Sequence, residues 1–142
     1  MRGCLTNINL NLLSTDDWQH VSGTGTVGTF TVDPFYLKCG DNTVATAMET
    51  KNTYTVGKFN YIHIVGQAYC ANVNVKFYIQ LYNVVSGVVD YTFERGGLSD
   101  TPSFDTYIDI SSLSDTAEYK IRVRCGQYNT TWLRFDTFAL EN

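Results

Sequence analysis

The run from Asn72 to Tyr82 alternates without a break. Val73, Val75, Phe77, Ile79 and Leu81 are apolar, whereas Asn74, Lys76, Tyr78, Gln80 and Tyr82 are polar or aromatic. In an extended strand successive side chains leave on opposite faces, so the second set shares one face, with tyrosine rings interleaved among amide and ammonium groups. That mixture suits saccharide recognition. A sugar ring has an apolar face of C–H groups that stacks on tyrosine or tryptophan, and a rim of hydroxyls that needs paired polar partners. Asn74, Lys76, Tyr78, Gln80 and Tyr82 are therefore the first candidate ligand-binding residues. A second alternating run, Tyr119–Cys125, adds Arg122 and Arg124, and Gln67 and Tyr69 lie nearby if their own run alternates in the same sense. The competing reading is a solvated sheet face, rich in tyrosine because tyrosine fits strands. Two exposed tyrosines on one face, Tyr78 and Tyr82, four residues apart, offer an apolar patch, and this tips the balance toward a site. The outward cations Lys120, Arg122 and Arg124 suit an anionic glycan or a phosphorylated wall polymer, and equally a charged face that discourages edge pairing.

Other chemistries find less support. Glycoside hydrolysis needs two carboxylates across one cleft. Asp105 and Asp109, or Asp90 and Glu94, share a strand face but stand four residues apart, more than about 10 Å at roughly 3.3 Å per residue. Neither G-x-S-x-G nor a phosphate-binding loop is present. The sequence is thus expected to be non-catalytic. Cys4, Cys39, Cys70 and Cys125 lack C-x-x-C spacing, and His20 and His63 form no zinc pattern with them. Buried free thiols are expected, with a Cys70–Cys125 bridge as the alternative. A net charge of −4 disfavours binding to a phosphate backbone, so nucleic acid is not an expected partner. No apolar run approaches the ~20 residues of a membrane span. Asn129-Thr130-Thr131 fits the N-glycosylation pattern, which matters only in a secretory route.

The elements that would carry these residues are strands. Eighteen Thr, 13 Val, 10 Tyr, 8 Phe and 7 Ile stand against 6 Ala in 142 residues, a composition that fits pleated, half-buried surfaces. Alternation recurs in Tyr119–Cys125 (Tyr119, Ile121, Val123, Cys125 inward) and in Phe104–Ile110 (Phe104, Thr106, Ile108, Ile110 inward). Val89, Tyr91 and Phe93 form another inward set, with Asp90, Thr92 and Glu94 outward. Gly and Ser-Gly pairs punctuate the runs, and Pro34 and Pro102 fall between them. The pattern predicts an all-β fold, a two-sheet antiparallel β-sandwich or a barrel, with about ten strands in one domain over residues 1–142. Helix is nearly absent: Ser111–Ser114 is the best candidate for a single turn, and Val44–Thr50 is read as an edge strand rather than a short helix.

Several segments in order resemble jelly-roll carbohydrate-binding modules, which occur beside glycoside hydrolases and in bacteriophage tail and baseplate proteins. The opening Asn9-Leu10-Asn11-Leu12-Leu13-Ser14-Thr15-Asp16-Asp17-Trp18 is similar to their first strand, polar turn and tryptophan. Tyr36-Leu37-Lys38-Cys39-Gly40 resembles an early strand, Phe104–Ser112 and Tyr119–Gly126 resemble later ones, and Phe135-Asp136-Thr137-Phe138-Ala139-Leu140 resembles the last. The resemblance implies that the strands form a jelly-roll β-sandwich of two antiparallel sheets, and that Trp18 is buried beneath its turn. It also implies a structural calcium ion held by the last-strand acid Asp136, with Asp41 and Asn42 supplying loop oxygens, although Asn11 stands where those modules carry an acid. Trp132 and Tyr128 are each read as core or site residues in equal measure.

Two functions from different classes follow. The first is a non-catalytic module that attaches a larger assembly, a phage particle or an enzyme, to a polysaccharide or cell-surface glycan. The second is a virion structural domain, a capsid decoration or tail protein, that packs against other virion proteins. No signal peptide is visible after Met1-Arg2-Gly3-Cys4-Leu5, so the expected location is a virion, or the extracellular space as part of a larger protein.

Overall fold

A computed structural model describes residues 9–21, 35–38, 45–126, 128 and 130–142. The described residues form ten strands: β1 (Asn9–Asn11), β2 (Trp18–His20), β3 (Phe35–Lys38), β4 (Thr46–Thr50), β5 (Tyr61–Tyr69), β6 (Phe77–Asn83), β7 (Val88–Arg95), β8 (Ser103–Asp109), β9 (Tyr119–Cys125) and β10 (Trp132–Glu141). They form two antiparallel sheets. The first runs β1-β10-β5-β8, with β3 also paired to β10, and the second runs β2-β4-β9-β6-β7. The β-sandwich expected from the alternation, and the jelly roll implied by the resemblance, is the fold observed.

The core lies between the sheets and is built from the inward half of each alternating run. Ile62, Ile64 and Ala68 of β5 and Leu133, Phe135 and Phe138 of β10 face Phe77, Ile79 and Leu81 of β6 and Ile121, Val123 and Cys125 of β9, all fully or nearly fully buried. Phe77 joins the layers. Its ring centroid lies 5.4 Å from Phe104 and 6.4 Å from Phe135, both in the opposite sheet. Trp18 is buried as expected: its Nε1–H donates to the Leu12 carbonyl at 2.8 Å and its ring meets Phe138 edge-on. Cys70 and Cys125 are fully buried thiols. Pro102 immediately precedes β8, where its missing N–H breaks no ladder. Cys4, Pro34, Cys39 and Asn129 lie outside the described residues.

Four local readings change. First, β6 begins at Phe77, and residues 72–75 turn instead of pairing. The Asn72 side chain accepts the Asn74 backbone N–H at 2.9 Å, a local bond that competes with the ladder, and Val73 consequently faces solvent at 66% exposure. Second, Ser111–Ser114 is a hydrogen-bonded turn with no helical span. Asp109 holds it by accepting from the Ser111 N–H and hydroxyl. Single 3-10 turns occur instead at Thr15–Asp17, Val56–Lys58 and Leu98–Asp100. Third, β4 is a strand but not an edge, because β2 and β9 flank it and every one of its side chains is buried. Fourth, the inward set of β7 is incomplete: Val89 is 38% exposed, while Tyr91 and Phe93 pack against the core. A bulge after Leu81 sets Leu81 opposite Tyr91 and Tyr82 opposite Val89. It re-aims Asp90, which accepts from the Tyr119 hydroxyl at 2.9 Å and from Asn83.

A second bulge lies in β10. Phe135 pairs with Gly66 and Thr137 with Val65, leaving Asp136 as the extra residue. At this point β10 exchanges β3 for β1 as its second partner. Gly66 is required there, because a Cβ would overlap the Arg134 carbonyl and press on the Phe104 ring.

Candidate functional site

The outer face of the second sheet brings together most of the residues that the sequence marked. Strands β6 and β9 are neighbours, with Tyr78 opposite Arg124, Gln80 opposite Arg122 and Tyr82 opposite Lys120. On its other side β6 sets Tyr78 opposite Glu94 and Gln80 opposite Thr92 of β7. Beyond β9, β4 sets Ala47 opposite Arg124 and Glu49 opposite Arg122. Register across four neighbouring strands, β4, β9, β6 and β7, therefore produces one continuous polar and aromatic surface.

The cations on this face are not equivalent. Glu49 accepts from Arg122 Nε at 2.9 Å, from Lys120 Nζ at 3.1 Å and from Gln19 Nε2 at 3.1 Å. Burial alone would raise the Glu49 carboxyl pKa, but the bonds from Lys120, Gln19 and Arg122 outweigh it and hold the group below its ordinary range. Arg122 also lies 3.9 Å from the centroid of the Tyr82 ring, so one aromatic face of Tyr82 is already covered by a guanidinium. Lys76, just before β6, is paired with Glu94 at 3.1 Å. Asn74 sits in the turn before the strand and is exposed, off the ladder.

What remains open is the Tyr78–Arg124 end. A depression of about 570 Å³ there is lined by Ala45, Tyr78, Gln80, Thr92, Arg124, Cys125 and Gly126. This lies within the roughly 300–1,000 Å³ of small-ligand sites. Among the described residues, the side chains of Tyr78, Gln80, Thr92 and Arg124 have no hydrogen-bond or ion-pair partner. A ring that can stack, an amide, a hydroxyl and a guanidinium thus converge on one concavity. Thr92 and Ala45 were not in the sequence-derived set. Thr92 had the signal, as an outward residue of an alternating run, whereas Ala45 contributes only by being small.

Gln67 and Tyr69 belong to β5 and so to the other sheet, away from this face. Tyr69 pairs there with Trp132, ring centroids 6.2 Å apart. Tyr128 is half-buried and packs against the core margin.

The outer face of the first sheet carries a different cluster. His63 meets Glu141 through Nδ1 and Asp105 through Nε2, both at 2.8 Å, and stacks on Tyr107 at 3.9 Å between centroids. Tyr61 meets the Tyr107 ring edge-on. Ionised carboxylates only accept, so the two contacts are both satisfied when the imidazole is protonated and donates from each nitrogen. Burial would lower its pKa, yet the bonds and charges of Asp105 and Glu141 prevail and raise it. The four carboxylates considered for acid–base work all have structural partners: Asp105 binds His63, Asp109 caps a turn, Asp90 holds Tyr119 and Asn83, and Glu94 pairs with Lys76.

Asp136 is exposed on the β10 bulge, 3.6 Å from Arg134 Nε. Among the described residues no group of three or more His, Cys, Asp or Glu side chains could hold a metal. Calcium wants six to eight oxygens, and of the three residues expected to supply them only Asp136 is described, with a guanidinium beside it. Asp41 and Asn42 lie outside the described residues.

No protein-family model matches the sequence, nor does any curated protein sequence. The fold does have solved counterparts. One point variant of a family 29 carbohydrate-binding module, made to probe ligand recognition by such modules, superposes at a TM-score of 0.55 with 9% identity, covering 94% of this chain and 89% of that one. A second variant gives 0.54 and 11% identity with the same coverage. At such identity the likeness establishes a shared jelly-roll fold.

Proposed function

We propose that this domain is a non-catalytic carbohydrate-binding module that uses the outer face of β6 and β9 to attach a larger assembly, a phage particle or an enzyme, to a polysaccharide or cell-surface glycan. One observation carries the reading. The depression on that face gathers Tyr78, Gln80, Thr92 and Arg124, whose side chains have no partner among the described residues. A fold shared with a carbohydrate-binding module supports the same reading. The location in keeping with it is a virion or the extracellular space. Of the sequence-derived residues, Tyr78, Gln80 and Arg124 form the centre of the site. Tyr82 and Arg122 form a pre-stacked margin, and Lys76 and Asn74 stand at the rim.

The test is an array of plant polysaccharides and bacterial wall polymers, probed with the wild type and with Tyr78→Ala/Tyr82→Ala. Saturable binding that the double variant loses, with its melting temperature within a few degrees of wild type, is the expected result. Equal binding by the variant would remove the site. A parallel array with chelator tests the calcium proposal at Asp136, which requires loss of binding or of stability.

A second reading has an observation of its own. The edge strand β7 and the turn before it expose Val85, Val88 and Val89, at 88%, 53% and 38%, an apolar edge suited to packing against other virion proteins. Light scattering separates the two, since an isolated module is monomeric and a packing domain forms a trimer or larger ring.

A further inference from the structure

We infer that the saccharide is acidic, and that Arg124 pairs with a sugar carboxylate. The inference rests on the binding-face reading above and specifies its ligand class. Three outward cations stand in a row on β9, Lys120, Arg122 and Arg124, and their surroundings differ in one respect. The β4 residue opposite Arg122 is Glu49, which binds both Arg122 and Lys120. The β4 residue opposite Arg124 is Ala47, which supplies no charge. On the other flank Arg124 faces Tyr78, and the carboxylate beyond it, Glu94, is bound to Lys76. Every other lining residue of the depression is neutral. Among the described residues a half-buried guanidinium is thus left with an open fork and an uncompensated charge beside a tyrosine ring.

The chemistry that completes this arrangement is a planar anion attached to a sugar ring. Guanidinium and carboxylate pair through two parallel N–H···O bonds, a match that a neutral hydroxyl cannot reproduce. A uronic acid places its ring C–H face on Tyr78, its carboxylate on Arg124, and its hydroxyls toward Gln80 and Thr92.

The test is calorimetric titration with galacturonate and mannuronate oligomers, their fully methyl-esterified forms, and neutral galactan and mannan oligomers. Wild type, Arg124→Gln and Tyr78→Ala are compared, with urea midpoints recorded for each. At least one uronate is expected to bind, tenfold or more tighter than its ester, weakening as salt rises. Arg124→Gln should abolish that preference, and Tyr78→Ala should abolish binding of acid and ester alike. Tyr78-dependent binding to neutral or esterified oligomers as tight as to the acids would overturn the acidic ligand and leave the binding face standing. Uronate selectivity unchanged in Arg124→Gln would overturn the role of Arg124. Absence of binding across the panel and the wider array would overturn both readings.

Discussion

Phe77 and Tyr78 are consecutive residues that the fold sends in opposite directions, and alanine at each measures the two faces of β6 separately. Phe77 has no exposed surface, and its ring contacts Phe93, Phe104 and Phe135 at 5.4 to 6.4 Å between centroids. Truncation leaves a cavity between the sheets that the surrounding rings only partly refill, so Phe77→Ala should cost about 3–5 kcal/mol. Small domains hold roughly 5–15 kcal/mol in all, and the variant should therefore fold at 25 °C with a much reduced margin. Its melting temperature should fall by roughly 6–20 °C, at about 2–4 °C per kcal/mol for a domain of this size. Tyr78 is half-buried, and among the described residues its hydroxyl has no bond to lose, so Tyr78→Ala should cost less than about 1 kcal/mol. Urea unfolding followed by tryptophan fluorescence measures both. A cost below about 1 kcal/mol for Phe77→Ala, or one near 3 kcal/mol for Tyr78→Ala, would mean that the faces are reversed and would undo the site.

His63 supplies a pH dependence of known sign. Its folded pKa is raised above the ordinary 6.5, so the stability from its two carboxylate bonds is complete below about 6.5 and disappears as pH rises through the raised value. Asp105 is 68% exposed and screened, so the term should be about 1 kcal/mol. The gap in urea midpoint between wild type and His63→Gln should close between pH 6 and pH 9, and a constant gap would contradict the double-donor geometry. Gly66→Ala should cost about 1–3 kcal/mol through overlap with the Arg134 carbonyl. A wild-type midpoint would show that the β10 bulge is free to move.

How much of this was legible in the sequence depended on what alternation encodes. It assigns side chains to faces, and so Tyr78, Gln80, Tyr82, Arg122 and Arg124 were correctly set apart from Phe77, Ile79 and Leu81. It does not say which sheet a strand joins, and for that reason Gln67 and Tyr69 were placed near a face from which they are absent. It also cannot distinguish pairing from a local turn. Asn72-Val73-Asn74-Val75 reads as strand, yet the Asn72 side-chain oxygen accepts from the Asn74 backbone N–H and leaves Val73 in solvent. The contrast between Arg122 and Arg124 comes from the β4–β9 register, which joins residues about 75 positions apart. No local pattern reports that Glu49 faces one arginine and Ala47 the other.

The central claim is that saccharide binds at the Tyr78–Arg124 end of the β6–β9 face. The most direct measurement is amide chemical-shift mapping by NMR with the tightest-binding saccharide of the array. The largest shifts should fall on Tyr78, Gln80, Thr92, Arg124 and Gly126, with Tyr61, His63 and Tyr107 unchanged. Shifts concentrated on Tyr61, His63 and Tyr107 would place the ligand on the opposite sheet and contradict the account.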